Sequence, residues 1–187
     1  AGERLYWAAR DDDASALRLH LSEGAPADWR LPANGHTPLI AAAYNDSVEC
    51  VRLLVAAGAD VDAASRQGTT ALLVACQYGR EEVAEALVAA GASLRGGGGP
   101  ALPAFVAAQT GAAPVLALLL RARASPDERD PTDGATALYV ACQNNRAACV
   151  SELLDAGAGM ELAKLDGWTP LAVACQYDHD DCARLLL

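Results

Sequence analysis

The chain has 187 residues, 52% of them hydrophobic, with 24 acidic against 14 basic side chains and a formal charge of −10. That balance argues against nucleic acid or an anionic membrane as partner, since both call for a basic footprint, and it favours solubility and basic partners. No apolar run approaches the roughly 18 residues of a membrane span, because Val115–Leu120 is stopped at Arg121, and no signal-peptide pattern opens the chain.

Taken in order, the sequence restates one unit. Residues 3–30 form a first unit without an opening turn, and the run Asp11-Asp12-Asp13 stands before its second helix, where the positive end of the helix dipole favours acids. Residues 31–63 and 64–95 are the most regular units, written as GHTPLIAAAYND…CVRLLVAAGA and GTTALLVACQYG…VAEALVAAGA. In each, Thr37 or Thr70 is placed to cap a first helix, and Pro38 occupies a first helical position, where a missing N–H costs nothing. Gly24, Gly58, Gly91 and Gly157 close second helices, where a left-handed residue is wanted.

Residues 96–128 depart most. Gly96–Gly99 replaces a polar turn, Leu102-Pro103-Ala104 replaces Thr-Pro-Leu, and Arg123 takes the closing glycine's place at a cost of roughly 1 kcal/mol. This unit is expected to be the loosest and a point of bending. Without a following Lys-Ser/Thr, its glycine run is no phosphate loop. Residues 129–162 return to the pattern with Thr136 as cap. Residues 163–187, opening on GWTPLAVACQYD, stop inside a second helix at Leu185-Leu186-Leu187. A terminal repeat needs a polar outer face, so the chain is expected to continue past this point.

Two landmarks fix the register. The small pairs Ala8-Ala9, Ala42-Ala43, Ala75-Cys76, Ala107-Ala108, Ala141-Cys142 and Ala174-Cys175 step by 34, 33, 32, 34 and 33 residues. The turn pairs from Gly24-Ala25 to Gly157-Ala158, with Arg123-Ala124 among them, step by 34, 33, 32 and 34. A shared period from two landmarks is the mark of a repeat architecture. The openings Gly35-His36-Thr37-Pro38-Leu39 and Gly167-Trp168-Thr169-Pro170-Leu171, the small pairs, the Val-x-x-Leu-Leu helices and the Gly-Ala turns resemble the ankyrin repeat over nearly the whole chain. The resemblance implies an all-α solenoid, one domain over 1–187, of about six stacked helix-turn-helix units with short β-hairpin loops, the first and last incomplete. Where that family places a His after Thr-Pro-Leu to tie neighbouring hairpins, this chain has Ile40, Leu73, Phe105, Tyr139 and Ala172. That departure predicts looser hairpins.

Catalytic patterns are absent. The three histidines, His20, His36 and His179, fall in different units, and no GxSxG, HExxH or Cys–His pairing occurs. Asp178-His179-Asp180-Asp181 is the one local cluster with metal-ligand character, and its place at a helix start reads as dipole complementation. The six cysteines lack CxxC spacing and fall in two repeated slots: Cys76, Cys142 and Cys175 in first helices, and Cys50, Cys149 and Cys182 in second ones. All six are read as buried small residues and reduced thiols, which fits the cytosol or nucleus. Neither a cofactor nor a metal is expected, and the chain is read as no enzyme.

The resemblance implies a function in protein–protein recognition, on a concave face made by the residues after each small pair. These are Arg10 and Asp11, Tyr44 and Asn45, Gln77 and Tyr78, Gln109 and Thr110, Gln143 and Asn144, and Gln176 and Tyr177, joined by the hairpin tips Asn34, His36, Arg66, Gln67, Thr69, Asp133, Asp166 and Trp168. Tyr and Trp offer contact area at low entropy cost with a polar handle. The four glutamines at one slot are read either as contacts or as bonds between neighbouring units. Trp7 is read as packing at the N-terminal end. A protein or peptide partner and a monomeric state are expected. Three roles stay open: a scaffold or adaptor, the substrate receptor of a ubiquitin ligase, or a regulatory domain of a larger enzyme or channel. The second rests on a similarity of Thr136–Cys142 with Cys149 to ankyrin proteins that carry a SOCS box.

Overall fold

Four threonines start the first helices of their units as their position dictates. In the computed structural model, which describes residues 1–96 and 101–187, the hydroxyls of Thr37, Thr70, Thr136 and Thr169 accept the N–H of Ile40, Leu73, Tyr139 and Ala172 at 3.2–3.3 Å. Each satisfies one of the donors that a helix start leaves without a partner. Pro38, Pro103 and Pro170 follow their caps at the first helical position.

The described residues form twelve helices. Six inner helices run in sequence as α1 (Gly2–Arg10), α3 (Pro38–Tyr44), α5 (Ala71–Tyr78), α7 (Pro103–Thr110), α9 (Ala137–Gln143) and α11 (Pro170–Gln176). Each precedes its outer partner, α2 (Ala14–Ser22), α4 (Val48–Ala56), α6 (Glu81–Ala89), α8 (Ala113–Arg121), α10 (Ala147–Asp155) and α12 (Asp180–Leu185). Every inner helix packs on the next inner one, and every outer on the next outer. Inner contacts are made by Ala8, Ala42, Ala75, Cys76, Ala107, Ala141 and Cys142, outer ones by Leu17, Leu54, Leu87, Leu119 and Leu153, all buried. Small side chains let the inner helices approach more closely than the leucines allow the outer ones. The stack therefore curves toward its inner side, and the ends of the inner helices line a concave face. No described helix is long and apolar enough to cross a membrane.

Backbone conformation repeats as faithfully as packing. Gly24, Gly58, Gly91 and Gly157 close their outer helices at φ between 81 and 88°, the left-handed region that glycine reaches without strain. Arg123 is forced to φ 72° in the same slot. It is exposed and makes no side-chain hydrogen bond or ion pair among the described residues. Arg123→Gly should therefore raise stability by roughly 0.5–1 kcal/mol, the left-handed cost of a non-glycine residue less the entropy glycine adds to the unfolded chain. A urea midpoint at unchanged slope checks it.

A second left-handed slot follows the inner helices: Asp12, Asp46, Gly79, Gly111, Asn145 and Asp178 all have φ between 54 and 87°. Asp, Asn and Gly are the residues that tolerate it. The acids expected to serve the helix dipole thus divide their work. Asp13 caps α2 by accepting from Ala16 N–H at 2.8 Å, Asp12 makes the turn, and Asp11 ends α1 and pairs with Arg10.

The hairpins before Thr37, Thr70, Thr136 and Thr169 are tight antiparallel turns, and the one isolated bridge among the described residues joins Arg129 to Thr136. They are better tied than the missing histidines predict. Arg66 N–H donates to Asn34 C=O, and Leu165 N–H to Asp133 C=O, each at 3.0 Å and each across two units. Arg30 and Arg129, seven residues before their threonine caps, reach forward to the carbonyls of Ala64 and Ala163. On the other edge, Asp28, Asp62 and Asp127 accept the backbone N–H of Asp60, Ser93 and Gly159 in the following unit at 2.8–2.9 Å. Beyond Gly96, the glycine run of the fourth unit lies outside the described residues, so its expected looseness and bend are tied here only to Arg123 and to the uncapped start at Leu102.

Candidate functional site

The last turns of the inner helices carry their side chains on a fixed frame. Four backbone carbonyls at these helix ends are taken by the next unit. Arg80 Nη2 donates to Tyr44 C=O at 3.4 Å, Thr110 Oγ1 to Cys76 C=O at 3.2 Å, Arg146 Nε to Gln109 C=O at 3.2 Å, and His179 Nδ1 to Cys142 C=O at 2.8 Å. A carbonyl only accepts, so the Nδ1 of His179 carries the proton. These bonds satisfy acceptors that a helix end leaves open and fix each unit against its neighbour.

On that frame the aromatic residues gather at two places. Tyr44 stacks on His36 with centroids 5.6 Å apart and meets Tyr78 at 5.5 Å. Burial holds the His36 imidazole below its ordinary pKa and raises the Tyr44 phenol, with Tyr78 adding to the second effect. Toward the other end Tyr177 stacks on His179 at 5.9 Å, and Lys164 Nζ lies 5.3 Å from the centre of the Tyr139 ring. Lys164 also pairs with Asp133 at 2.9 Å and Asp166 at 3.7 Å. Its hydrogen bond, with the N–H of Ala135, holds the Asp133 carboxyl below the usual range. Tyr78 is 50% exposed, Tyr177 52% and Trp168 40%. Rings left that open offer large contact area with a polar handle.

The predicted residues divide by what their side chains already do. Asn34, Asp133 and Asp166 shape their hairpins, accepting from the N–H of His36, Ala135 and Trp168. Asn45 and Asn144 donate to the carbonyls of Ala41 and Val140 in their own helices, and Thr110 is held by carbonyls of two helices. Arg66 lies across the preceding hairpin, donating to Ala33 C=O, and Gln67 and Thr69 lend backbone N–H groups to Ser65 Oγ. Gln77, Gln109, Gln143 and Gln176 are exposed, and their amides make no hydrogen bond among the described residues, so they do not bridge units. Arg10 lies 4.2 Å from the centre of the Trp7 ring, which is 36% exposed. Trp7 meets Tyr6 edge-on with centroids 5.2 Å apart, and Trp29, near Gly2, packs on the same ring at 5.9 Å. Leu165, 78% exposed at the tip of the sixth hairpin, had no motif to single it out, although an apolar residue at a turn is a signal in itself.

The cysteines need one correction. Cys50, Cys76, Cys142, Cys149 and Cys182 are buried, but Cys175 is exposed. Cys76 and Cys142 are covered by the next inner helix, whereas Cys175 lies in α11, the last inner helix among the described residues. Burial raises the thiols of Cys50 and Cys149 to about 11 and those of Cys76 and Cys142 to about 12. They stay protonated at neutral pH, which makes them poor nucleophiles. Among the described residues no group of three or more His, Cys, Asp and Glu is gathered as for a metal. Treated with N-ethylmaleimide at neutral pH, the folded chain should take up one equivalent, at Cys175, and six after unfolding in guanidinium. Mass spectrometry reads the count, and several labelled thiols in the folded chain would contradict the packing.

A family model of ankyrin repeats matches residues 5–95 and 104–187. The chain is 32% identical over 170 residues to the human SH3 and multiple ankyrin repeat domains protein 2, covering 89% of this chain and 9% of that protein. It is 32% identical over 206 residues to the probable E3 ubiquitin-protein ligase XBOS32 of Oryza sativa subsp. japonica, covering 91% of this chain and 41% of that one. Among solved structures it resembles the human ASB11 ankyrin repeat domain with a TM-score of 0.87 and 28% identity, over 97% of this chain and 81% of the other. The chain thus spans less than half the length of these curated relatives.

Proposed function

The chain belongs to the ankyrin-repeat family, whose repeats are protein–protein interaction modules, and from this premise we propose that a partner protein or peptide is received on the concave face of inner-helix ends and hairpin tips. The observation that carries the reading is the set of rings at Tyr78, Trp168 and Tyr177, 40–52% exposed on a backbone cross-tied from unit to unit. Rigid anchors lose little entropy on binding, so more of the contact energy appears as affinity. Ankyrin repeats are generally non-catalytic, and the protonated buried thiols and separated histidines support a module without chemistry of its own. Its free cysteines favour a reducing compartment, the cytosol or nucleus.

An adaptor or scaffold is the first role. Likeness to XBOS32 over 91% of the chain supports a second, in which the same face presents substrates to a ubiquitin ligase. The test is capture of partners from cell extract on the wild-type chain and on Tyr78→Ala/Trp168→Ala/Tyr177→Ala, with circular dichroism to verify the fold. Each hot-spot ring lost at the centre of an interface costs about 2 kcal/mol or more, so partners on this face should vanish with the triple variant. Partners retained unchanged would move the site to the convex side.

A further inference from the structure

The four glutamines repeat at one position of α5, α7, α9 and α11, the last or next-to-last residue of each helix. Each is exposed, and no amide among them is bonded to a described residue. Their surroundings are anything but idle, since Thr110, Arg146 and His179 pin the helix ends between them. A row of unused donors is thus held in register on the concave face, and the ligand inferred for it rests on the reading of that face as the partner's seat.

The pitch of the row selects the ligand. Packed helices lie roughly 8–10 Å apart, so the amides recur at about that interval. An α-helix repeats every ~5.4 Å, two turns overshoot the interval at ~10.8 Å, and its carbonyls are already bonded within the helix. A β-strand rises about 3.3 Å per residue, which brings every third residue into step, but residues three apart point to opposite faces. A polyproline II helix has three residues per turn and a rise of about 3.1 Å, so every third carbonyl faces one way at about 9 Å. Its carbonyls have no internal partners. Proline lacks an N–H, so such a chain is read by donors, which glutamine supplies. Rings near both ends of the row, Tyr44 against Tyr78 at one and the exposed Tyr177 at the other, suit proline side chains, as aromatic grooves that hold this conformation do.

We propose that the concave face binds a proline-rich segment of about four turns in the polyproline II conformation, with Gln77, Gln109, Gln143 and Gln176 donating to every third backbone carbonyl. The probes are two phage-displayed libraries of linear twelve-residue peptides, one with proline at every third position and one unbiased, followed by anisotropy titration of the enriched peptides. Proline-rich sequences should be enriched from both. Gln77→Glu/Gln143→Glu, which keeps shape but loses donors, should weaken them roughly tenfold, the loss of two hydrogen bonds. Ester replacement along the peptide should weaken binding with a three-residue period. Enrichment of proline-free peptides, no enrichment at all, or equal affinity for the glutamine variant would overturn the proposal. If any of these occurs while Tyr78→Ala/Trp168→Ala/Tyr177→Ala still loses its protein partner, the concave-face reading stands and the polyproline ligand falls. If that variant also keeps its partner, both fall.

Discussion

Leu119→Ala should lower stability by about 2–5 kcal/mol and divide the unfolding of the chain into two steps. Leu119 is fully buried in α8, the outer helix of the fourth unit, so truncation leaves a cavity between layers that cannot close without moving whole helices. The second effect is particular to this unit. Its inner helix starts at Leu102 without the threonine cap of the units on either side, and Arg123 closes it in a left-handed conformation where Gly24, Gly58, Gly91 and Gly157 close other units. In a stack each unit is stable through its own interactions and those with its nearest neighbours. Weakening the least reinforced unit in the middle uncouples the three before it from the two after it. Leu54→Ala, the same slot in the second unit and equally buried, sits in a helix pair whose inner member Thr37 caps, and should cost similar energy without dividing the transition. Hydrogen exchange followed unit by unit separates the outcomes. One cooperative transition for Leu119→Ala would mean that the fourth unit is as strongly coupled as the others.

How far the sequence reveals this arrangement depends on which interactions are local. Thr37, Thr70, Thr136 and Thr169 act within three residues of themselves, so their capping was legible, as were the closing glycines and the strained Arg123. The left-handed slot at Asp12, Asp46, Asn145 and Asp178 was equally local, but its acids also lie before helices, and the dipole offered a competing account of the same residues. Ties between units were hidden for another reason. Asp28, Asp62, Asp127, Arg30 and Arg129 bond to groups 31–34 residues away, and polar surface residues in a repeat carry no mark of having a partner. The same holds for the candidate site. Repetition placed Gln77, Tyr78, Gln176 and Tyr177 on one face, but only packing showed that Asn45, Asn144, Asp133 and Asp166 spend hydrogen bonds on their own turns while the glutamines do not.

The sharpest consequence concerns two cysteines that the sequence makes equivalent. Cys76 and Cys175 follow Ala in the same Ala-Cys-Gln-Tyr string, yet the first is fully buried beneath α7 and the second is exposed. Cys76→Asp places a carboxyl where burial already lifts a thiol to about 12. Ionised, it loses its hydration with no basic partner nearby, and protonated, it still needs hydrogen bonds that a wall of alanines lacks. Either course costs several kcal/mol, against a total stability of about 5–15 kcal/mol for an ordinary domain, and the third and fourth units should lose their contact at neutral pH. Part of the loss should be regained on acidification to the range where the buried acid holds its proton. The sign follows from burial, which raises the carboxyl's pKa in the folded chain above its unfolded value, so the penalty grows as pH rises through the unfolded value and levels off above the folded one. Cys175→Asp, with water already at the site, should change stability by no more than about 0.5 kcal/mol at any pH. Denaturation curves of both variants at acid and neutral pH decide the matter. A stable Cys76→Asp would mean that the small-residue seam between α5 and α7 is open to water, and with it the close inner packing that curves the stack would be lost.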